Sequence, residues 1–324
     1  MRSWTTGVSQ LIIALDFGGT KLTAGALDTK QRTWLYHQRI FSPRGVVGRD
    51  QYEAMRKLVQ EMVTQWGKPQ AMGVSFGGPV FAPAGLVKLS YHVPGWQETP
   101  LADWLQTEWS VPVAVDNDAN AAALGELHFG AGQGYRHLLY VTVSTGIGGG
   151  WIINGWPYSG VDGLAGEIGH ICVQPDGLHC GCGRYGCLEA EASGPAIAYR
   201  AGLLLEERPH DGQQLRQLIG HDPANLTAQL VAQAAAEGDS LSQEVLDIAA
   251  ERLGYGVAIA ITLMNPDRVI IGGGVIKAGE QWWRIVRESA QARAFRGMNV
   301  DIVPAALGDD ASLWGAAALA EINS

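Results

Sequence analysis

The chain has 324 residues, 23 Lys and Arg against 32 Asp and Glu for a formal net charge of −9, and 47% hydrophobic residues. An acidic chain without a Lys/Arg cluster is poorly suited to gripping nucleic acid, and its length and apolar content suit two domains with full cores rather than a fibrous, disordered or miniature fold. No stretch approaches the roughly 18 to 20 consecutive apolar residues of a bilayer span, and the N-terminus lacks the basic start and apolar core of a secretory signal, so neither membrane nor nucleic acid is expected as a partner and the location is read as cytoplasmic.

Leu11–Phe17 reads as a strand, residues 18–21 as a turn and residues 22–27 as a second strand. In Asp16-Phe17-Gly18-Gly19-Thr20-Lys21 two glycines allow a tight turn with amide N–H groups free to face phosphate oxygens. Asp16 at the strand end suits Mg²⁺, directly or through water, and Thr20 or Lys21 can face a phosphate. The same residues also suit an ordinary hairpin turn with a capping Asp.

Residues 51–66 have helical spacing, with Met55, Leu58, Val59, Met62, Val63 and Trp66 on one face; residues 70–75 read as a strand ending in Gly77-Gly78-Pro79, and 111–115 as another. Asp116-Asn117-Asp118 then lies immediately before an Ala/Leu-rich helix at 119–129. A carboxylate there can take a proton from a substrate hydroxyl, as phosphoryl transfer requires, yet Asp and Asn are equally preferred helix N-caps.

The strand–turn–strand pattern recurs. Leu138–Val143 is strand-like, residues 144–150 (Ser-Thr-Gly-Ile-Gly-Gly-Gly) read as a turn, and 151–153 continue as strand. Both turns open into strands, not helices, which separates them from dinucleotide-binding and P-loop turns. Two similar hairpins suggest an internally duplicated architecture. Residues 238–264 read as one long helix stopped by Asn265-Pro266, followed by a strand at 268–271, the turn Gly272-Gly273-Gly274, and a closing small-residue helix at Ala311–Ile322. Strands alternating with helices make this an α/β chain. Three glycine turns at strand ends point to one extended phosphate-bearing ligand.

All four cysteines lie between Cys172 and Cys187, a clustering that indicates metal binding or redox chemistry rather than a disulfide framework. Three thiolates (Cys180, Cys182, Cys187) and the His170 imidazole suit a closed, tetrahedral, structural Zn²⁺ site. Cys172 lies two residues from His170, on the same face of an expected strand, and is an alternative fourth ligand.

Taken together, the residues from about 12 to 318 resemble the ROK family of bacterial sugar kinases, repressors and related proteins, within the actin-like, hexokinase-like ATPase superfamily. The resemblance rests on Asp16 to Lys21, Asn117-Asp118, Thr145 to Gly150, Glu167-Ile168-Gly169-His170, the Cys180 to Glu189 knot, and Leu307-Gly308-Asp309-Asp310-Ala311. It implies a two-domain actin-like (ribonuclease H-like) fold with a zinc-binding loop, with sugar and ATP in the cleft between the domains. The expected small domain covers residues 1–117 plus 311–324, and the large one residues 118–310. It also implies roles: Asp118 as the base for the sugar 6-hydroxyl; Asn117, Glu167, His170 and Glu189 as sugar ligands; Gly78 as a glycine packed on the sugar. Asp16, Gly18, Gly19, Thr20, Lys21, Thr145, Gly146 and Gly273 become the ATP and Mg²⁺ positions, and His170, Cys180, Cys182 and Cys187 the zinc ligands. The two nitrogens of His170 allow it to serve metal and sugar together, which Cys172 cannot do. One departure stands out: His92 occupies the place before Pro94-Gly95-Trp96 where many members carry a sugar-binding Asn.

The function expected is therefore an ATP-dependent hexose kinase acting on the 6-hydroxyl, with glucose first and N-acetylmannosamine, mannose or fructose as alternatives, in a homodimer or larger assembly. A sugar-responsive repressor is disfavoured because only 15 residues precede Asp16, too few for a helix-turn-helix. An inactive sugar-binding protein is disfavoured by the retained Asp118.

Overall fold

The computed structural model describes residues 10–43, 45–220 and 222–324. In chain order the elements are β1 (Leu11–Phe17), β2 (Lys21–Asp28), β3 (Thr33–Phe41), α1 (Gly48–Trp66), β4 (Ala71–Phe76), the short β5 (Val80–Phe81) and β6 (Leu86–Val87), α2 (Leu101–Trp109), β7 (Val113–Asn117) and α3 (Asp118–Phe129). They continue as β8 (Leu138–Val143), β9 (Ile147–Ile153), β10 (Trp156–Tyr158), α4 (Leu188–Ala192), α5 (Gly194–Glu207), α6 (Gln213–Leu218), α7 (Ala228–Ala236), α8 (Ser240–Met264), β11 (Arg268–Gly272), α9 (Glu280–Arg293), β12 (Asp301–Pro304) and α10 (Ala311–Ile322).

One five-stranded sheet runs β3-β2-β1-β4-β7 and the other β10-β9-β8-β11-β12. In each, three strands follow one another antiparallel and the next two join parallel to the first. The expected duplication is thus a duplication of sheet topology, with β1 and β2 matched by β8 and β9.

β1 is covered on both faces, which explains its nearly unbroken apolar run. Ile13, Leu15 and Phe17 pack with Met55, Val59 and Met62 of α1 and Leu101 and Leu105 of α2. Ile12 and Ala14 instead meet Leu313, Ala316, Ala317 and Ala320 of α10. Small residues bring α10 onto the sheet: a Cβ at Gly73 of β4 would overlap the Ala316 carbonyl oxygen. The long α8 begins with Asp239, whose carboxylate caps Ser242 N at 2.9 Å, and ends at Asn265 in the left-handed region before Pro266.

Contacts divide the chain into two units, residues 1–136, 150–165 and 306–324 in the first and 137–149 and 166–305 in the second. Helix α3 falls in the first unit, where the sequence reading begins the second domain at Asp118; the physical reason is its close packing on α10. The turn expected over 144–150 is shorter than expected, because Ile147 to Gly150 already belong to β9. Interior glycine is tolerated there because neighbouring backbone fills the space: a Cβ on Gly149 would lie 2.6 Å from the Gly166 carbonyl oxygen, and one on Gly150 would overlap the Ala119 carbonyl oxygen. No helix among the described residues is long and apolar enough to cross a membrane.

Candidate functional site

In the first unit the β1–β2 turn is closed by Gly18 N donating to Lys21 O at 3.0 Å. The Gly18 carbonyl turns inward and accepts from Gln51 Nε2 at 3.1 Å. Because a trans peptide points its carbonyl and the following N–H in opposite directions, this bond turns the Gly19 amide outward, as an anion-binding turn requires. Ser42 N donates to Thr20 O at 3.0 Å and steadies the far side of the turn. Thr20 and Lys21 are exposed. A Cβ on Gly19 would lie 2.8 Å from His92 Cβ, so the exposed His92 sits against the turn itself.

Asp16, at the end of β1, accepts from Ser75 Oγ at 2.6 Å. Burial pushes its carboxyl above the usual range, opposed by hydrogen bonds from Ser75 and Ser312 and by the Arg39 charge, while Asp310 pushes the same way as burial. Asp310 is itself paired with Arg39 and lies 3.2 Å from His37 Nε2. A desolvated carboxylate gains from a hard cation beside it, so Asp16 fits a Mg²⁺ position.

At the junction of β7 and α3 both Asn117 and Asp118 bond the first turn of the helix, Asp118 Oδ1 accepting from Ala119 N at 2.8 Å. Asn117 is the N-cap: its Oδ1 accepts from Ala119 N at 2.9 Å and Asn120 N at 3.4 Å, and its Nδ2 donates to Gly78 O at 3.0 Å. Asp116 is buried, raised by desolvation against hydrogen bonds from Asn120 and Asn117. Asp118, the first residue of α3, is half-buried and converges with the glycine turn. The Cβ that Gly77 lacks would stand 3.8 Å from Asp118 Oδ2 and 3.5 Å from Gly18 Cα. Gly78, by contrast, packs against Leu89 and Ser90 backbone. The first unit therefore gathers Asp16, Gly18 to Lys21, Gly78, His92, Asn117 and Asp118.

In the second unit, the turn between β8 and β9 holds Thr145 and Gly146, closed by Ser144 N donating to Gly146 O at 2.9 Å. The Glu189 carboxylate of α4 accepts from Ile147 N at 2.9 Å, and Gly194 N donates to Ser144 O at 2.8 Å. Glu189 thus braces the second glycine turn, a contact that its expected role as a sugar ligand does not anticipate. Glu167 is pushed up by burial and by Glu189, with His170 acting in the opposite sense. Gly273 has φ 90°, and a Cβ there would overlap the Val143 carbonyl oxygen, so its backbone lies against the end of β8 beside the same turn.

His170, Cys180, Cys182 and Cys187 present ligand atoms that all lie within 4.8 Å of one another. Cys180 Sγ is 3.7 Å from His170 Nδ1, and Cys182 Sγ is 3.6 Å from Cys187 Sγ. Thiolates about 2.3 Å from one tetrahedral ion stand roughly 3.8 Å apart, so one nitrogen and three sulfurs fit Zn²⁺. Without metal, the Arg184 backbone N–H and side chain hold the Cys182 thiol down at about 6, whereas burial pushes Cys187 up to about 12. Cys172 does not belong to this group.

Sequence reasoning did not single out Gln51 and Trp96. Gln51 is 2% exposed and donates to Gly18 O and Ser42 Oγ, while its Oε1 accepts from Trp96 Nε1 at 2.9 Å. The available signal is its place one turn before Met55, a polar residue on an otherwise apolar helical face.

The ROK family profile matches residues 12–322. A glucokinase from Halalkalibacterium halodurans is 39% identical over 76% of this chain and 76% of its own length, and one from Thermotoga maritima 33% identical over 95% and 96%. The crystal structure of a ROK family glucokinase from Streptomyces griseus in complex with glucose and AMPPNP superposes with a TM-score of 0.82 at 34% identity, covering 96% of this chain and 99% of that one.

Proposed function

The chain belongs to the ROK family, and from that premise we propose that it is a glucokinase, transferring the γ-phosphoryl group of ATP to the 6-hydroxyl of glucose. The observation that carries this reading is the carboxylate of Asp118 at the start of α3, beside the Gly18 turn and with its neighbour Asn117 already engaged as the cap. Asn117 Oδ1 supplies the cap, while Asp118 keeps Oδ1 on Ala119 N at 2.8 Å and has Oδ2 on the side of Gly77 as the oxygen proposed to take the proton.

In this reading the Asp118 carboxylate accepts the hydroxyl proton as the sugar oxygen attacks phosphorus, which requires an approach of about 2.6–3.2 Å. Asn117 holds the base in place through its bonds to the first turn of α3 and to Gly78 O, and its second Nδ2 hydrogen remains available to a sugar hydroxyl. The outward Gly19 amide, Thr20 and Lys21 receive phosphate oxygens, with Thr145, Gly146 and Gly273 as the corresponding backbone of the second unit. Asp16 would hold Mg²⁺, which would offset phosphate charge, since phosphoryl transfer depends chiefly on positioning and charge neutralisation.

Glu167, His170 and Glu189 are the proposed sugar ligands. His170 turns Nδ1 toward Cys180, leaving Nε2 for a sugar hydroxyl, so ligation fixes the ring for recognition. His170, Cys180, Cys182 and Cys187 would hold Zn²⁺ with four protein ligands, and an ion so enclosed would serve structure. Four unpaired cysteines suit a reducing, cytoplasmic setting.

The sugar is tested by an ADP-release assay across hexoses and acetylated hexosamines. Glucose is expected to give the highest kcat/KM, with the phosphate on O6. Faster turnover of N-acetylmannosamine, mannose or fructose would reassign the substrate, and His92 is the first residue to examine for the cause.

A further inference from the structure

Cys172 is the one cysteine outside the metal-ligand group, and its thiol is exposed to solvent. Its backbone, however, is paired. Cys172 and Cys187 face each other in an antiparallel bridge. The bonds framing that pair run from Leu188 N to Ile171 O at 2.9 Å and from Val173 N to Gly186 O at 2.8 Å. Bonds on either side of the pair, and not within it, make it a non-hydrogen-bonded pair. Such pairs place Cα atoms about 4.5 Å apart with both side chains on one face, inside the range of about 4.4–6.8 Å that disulfides span. One metal ligand thus has a spare thiol directly across the ladder from it.

We propose that Cys172 and Cys187 form an oxidisable pair, which a hydroperoxide converts to a cross-strand disulfide that withdraws one ligand from the metal knot. The Cys172 sulfur attacks hydrogen peroxide and the O–O bond breaks, the thiol proton going to the departing hydroxide, which gives a Cys172 sulfenic acid and water. The Cys187 sulfur then leaves the metal and attacks the Cys172 sulfur; the S–S bond forms, and the sulfenic oxygen departs as a second water after taking one proton from solvent. The two cysteines lose two electrons, which the peroxide gains. Exposure sets the order, because Cys172 meets solvent whereas Cys187 is 1% exposed. Cys182 is nearer to Cys187 in the ligand cluster, but in the loaded protein both of those sulfurs are engaged by the ion, while that of Cys172 is not.

The consequence reaches the glycine turn. Cys187 immediately precedes α4, which carries the Glu189 that bonds Ile147 N, so the knot and the turn between β8 and β9 share one short connection. The zinc arm of the proposal rests on the metal reading above; the disulfide arm does not.

The test uses the full chain loaded with Zn²⁺, its metal content measured first, then treated with hydrogen peroxide. Zinc release is followed with a chelating dye and disulfides by peptide mass spectrometry. The expected result is a Cys172–Cys187 linked peptide appearing in step with zinc release, reversed by dithiothreitol and added Zn²⁺. Cys172→Ser, at an exposed position, is expected to slow zinc release by roughly tenfold. A Cys182–Cys187 or Cys180–Cys182 linkage in the wild type, or equally fast release from Cys172→Ser, overturns the proposal. A chain that holds no zinc before oxidation removes the metal reading instead, and the peptide map then decides the thiol pair by itself.

Discussion

Asn117 and Asp118 illustrate why single residues were only half legible in the sequence. Their types suit both caps and catalysis, and local spacing cannot assign the two tasks; the bonds from Ala119 N and Asn120 N to Asn117 Oδ1 identify the cap, and the catalytic task is left to the Asp118 variant below. Gln51 was legible only as a polar residue on an apolar helical face, because its partners Gly18, Ser42 and Trp96 lie in three separate segments. Replacing Gln51 with Leu leaves the Gly18 carbonyl and the Trp96 indole N–H without partners, an expected loss of about 1–3 kcal/mol by urea denaturation. The same variant is expected to raise KM for ATP more than KM for glucose, and an unchanged ATP KM in the folded variant would remove Gln51 from the phosphate turn. The cysteines were legible as a set but not as individuals. With Cys182 held at about 6 and Cys187 pushed up to about 12, the metal-free protein at pH 7 carries Cys182 as thiolate and Cys187 as thiol. Iodoacetamide is therefore expected to modify Cys182 with a rate that climbs through about pH 6 and is level above pH 7, while Cys187 stays unmodified across that range; peptide mapping checks both.

Elements with a strong period were readable to within a few residues. β1 and β8 coincide with their expected ranges, and α1 begins three residues before the helix read at 51–66. Their apolar runs and stripes are local properties. The turn before β9 was drawn too long because glycine argues against strand unless neighbouring backbone occupies its side-chain space, and that backbone comes from residues distant in sequence. No element was assigned to 33–41 or 280–293, although β3 and α9 form there; β3 is largely exposed and lacks the apolar run that marks β1. The coupling of α4 to the β8–β9 turn was likewise invisible, since Glu189 read alone is a surface acid. Glu189→Ala removes the acceptor for Ile147 N, and hydrogen exchange at the Ile147 amide is expected to quicken relative to Tyr140 in the middle of β8. Equal protection in variant and wild type would mean that the turn holds its shape without α4.

At the scale of the whole molecule, the duplication was legible because each sheet opens with a strand, a glycine turn and a second strand, and the two sheets share one topology. The division into units was harder to read. The chain passes between them several times, at 136/137, 149/150, 165/166 and 305/306, with no Ser/Pro linker to mark a crossing. Within the first unit the returning segment is fixed by Glu126, fully buried, whose carboxylate accepts from Leu307 N at 2.8 Å and Ala306 N at 3.2 Å. Such a long-range anchor cannot be read from an Ala/Leu-rich helix. The chemistry, in contrast, was written in short motifs, because glycine turns, an acid at a helix start and a cysteine knot each need specific residue types at fixed spacing. Whether those motifs add up to a sugar kinase turns on Asp118. The most direct measurement is the Asp118→Asn variant, with glucose affinity by calorimetry and kcat by ADP release. The account predicts an affinity close to that of the wild type and a kcat lower by about 10² to 10⁴; turnover near the wild-type rate would contradict it.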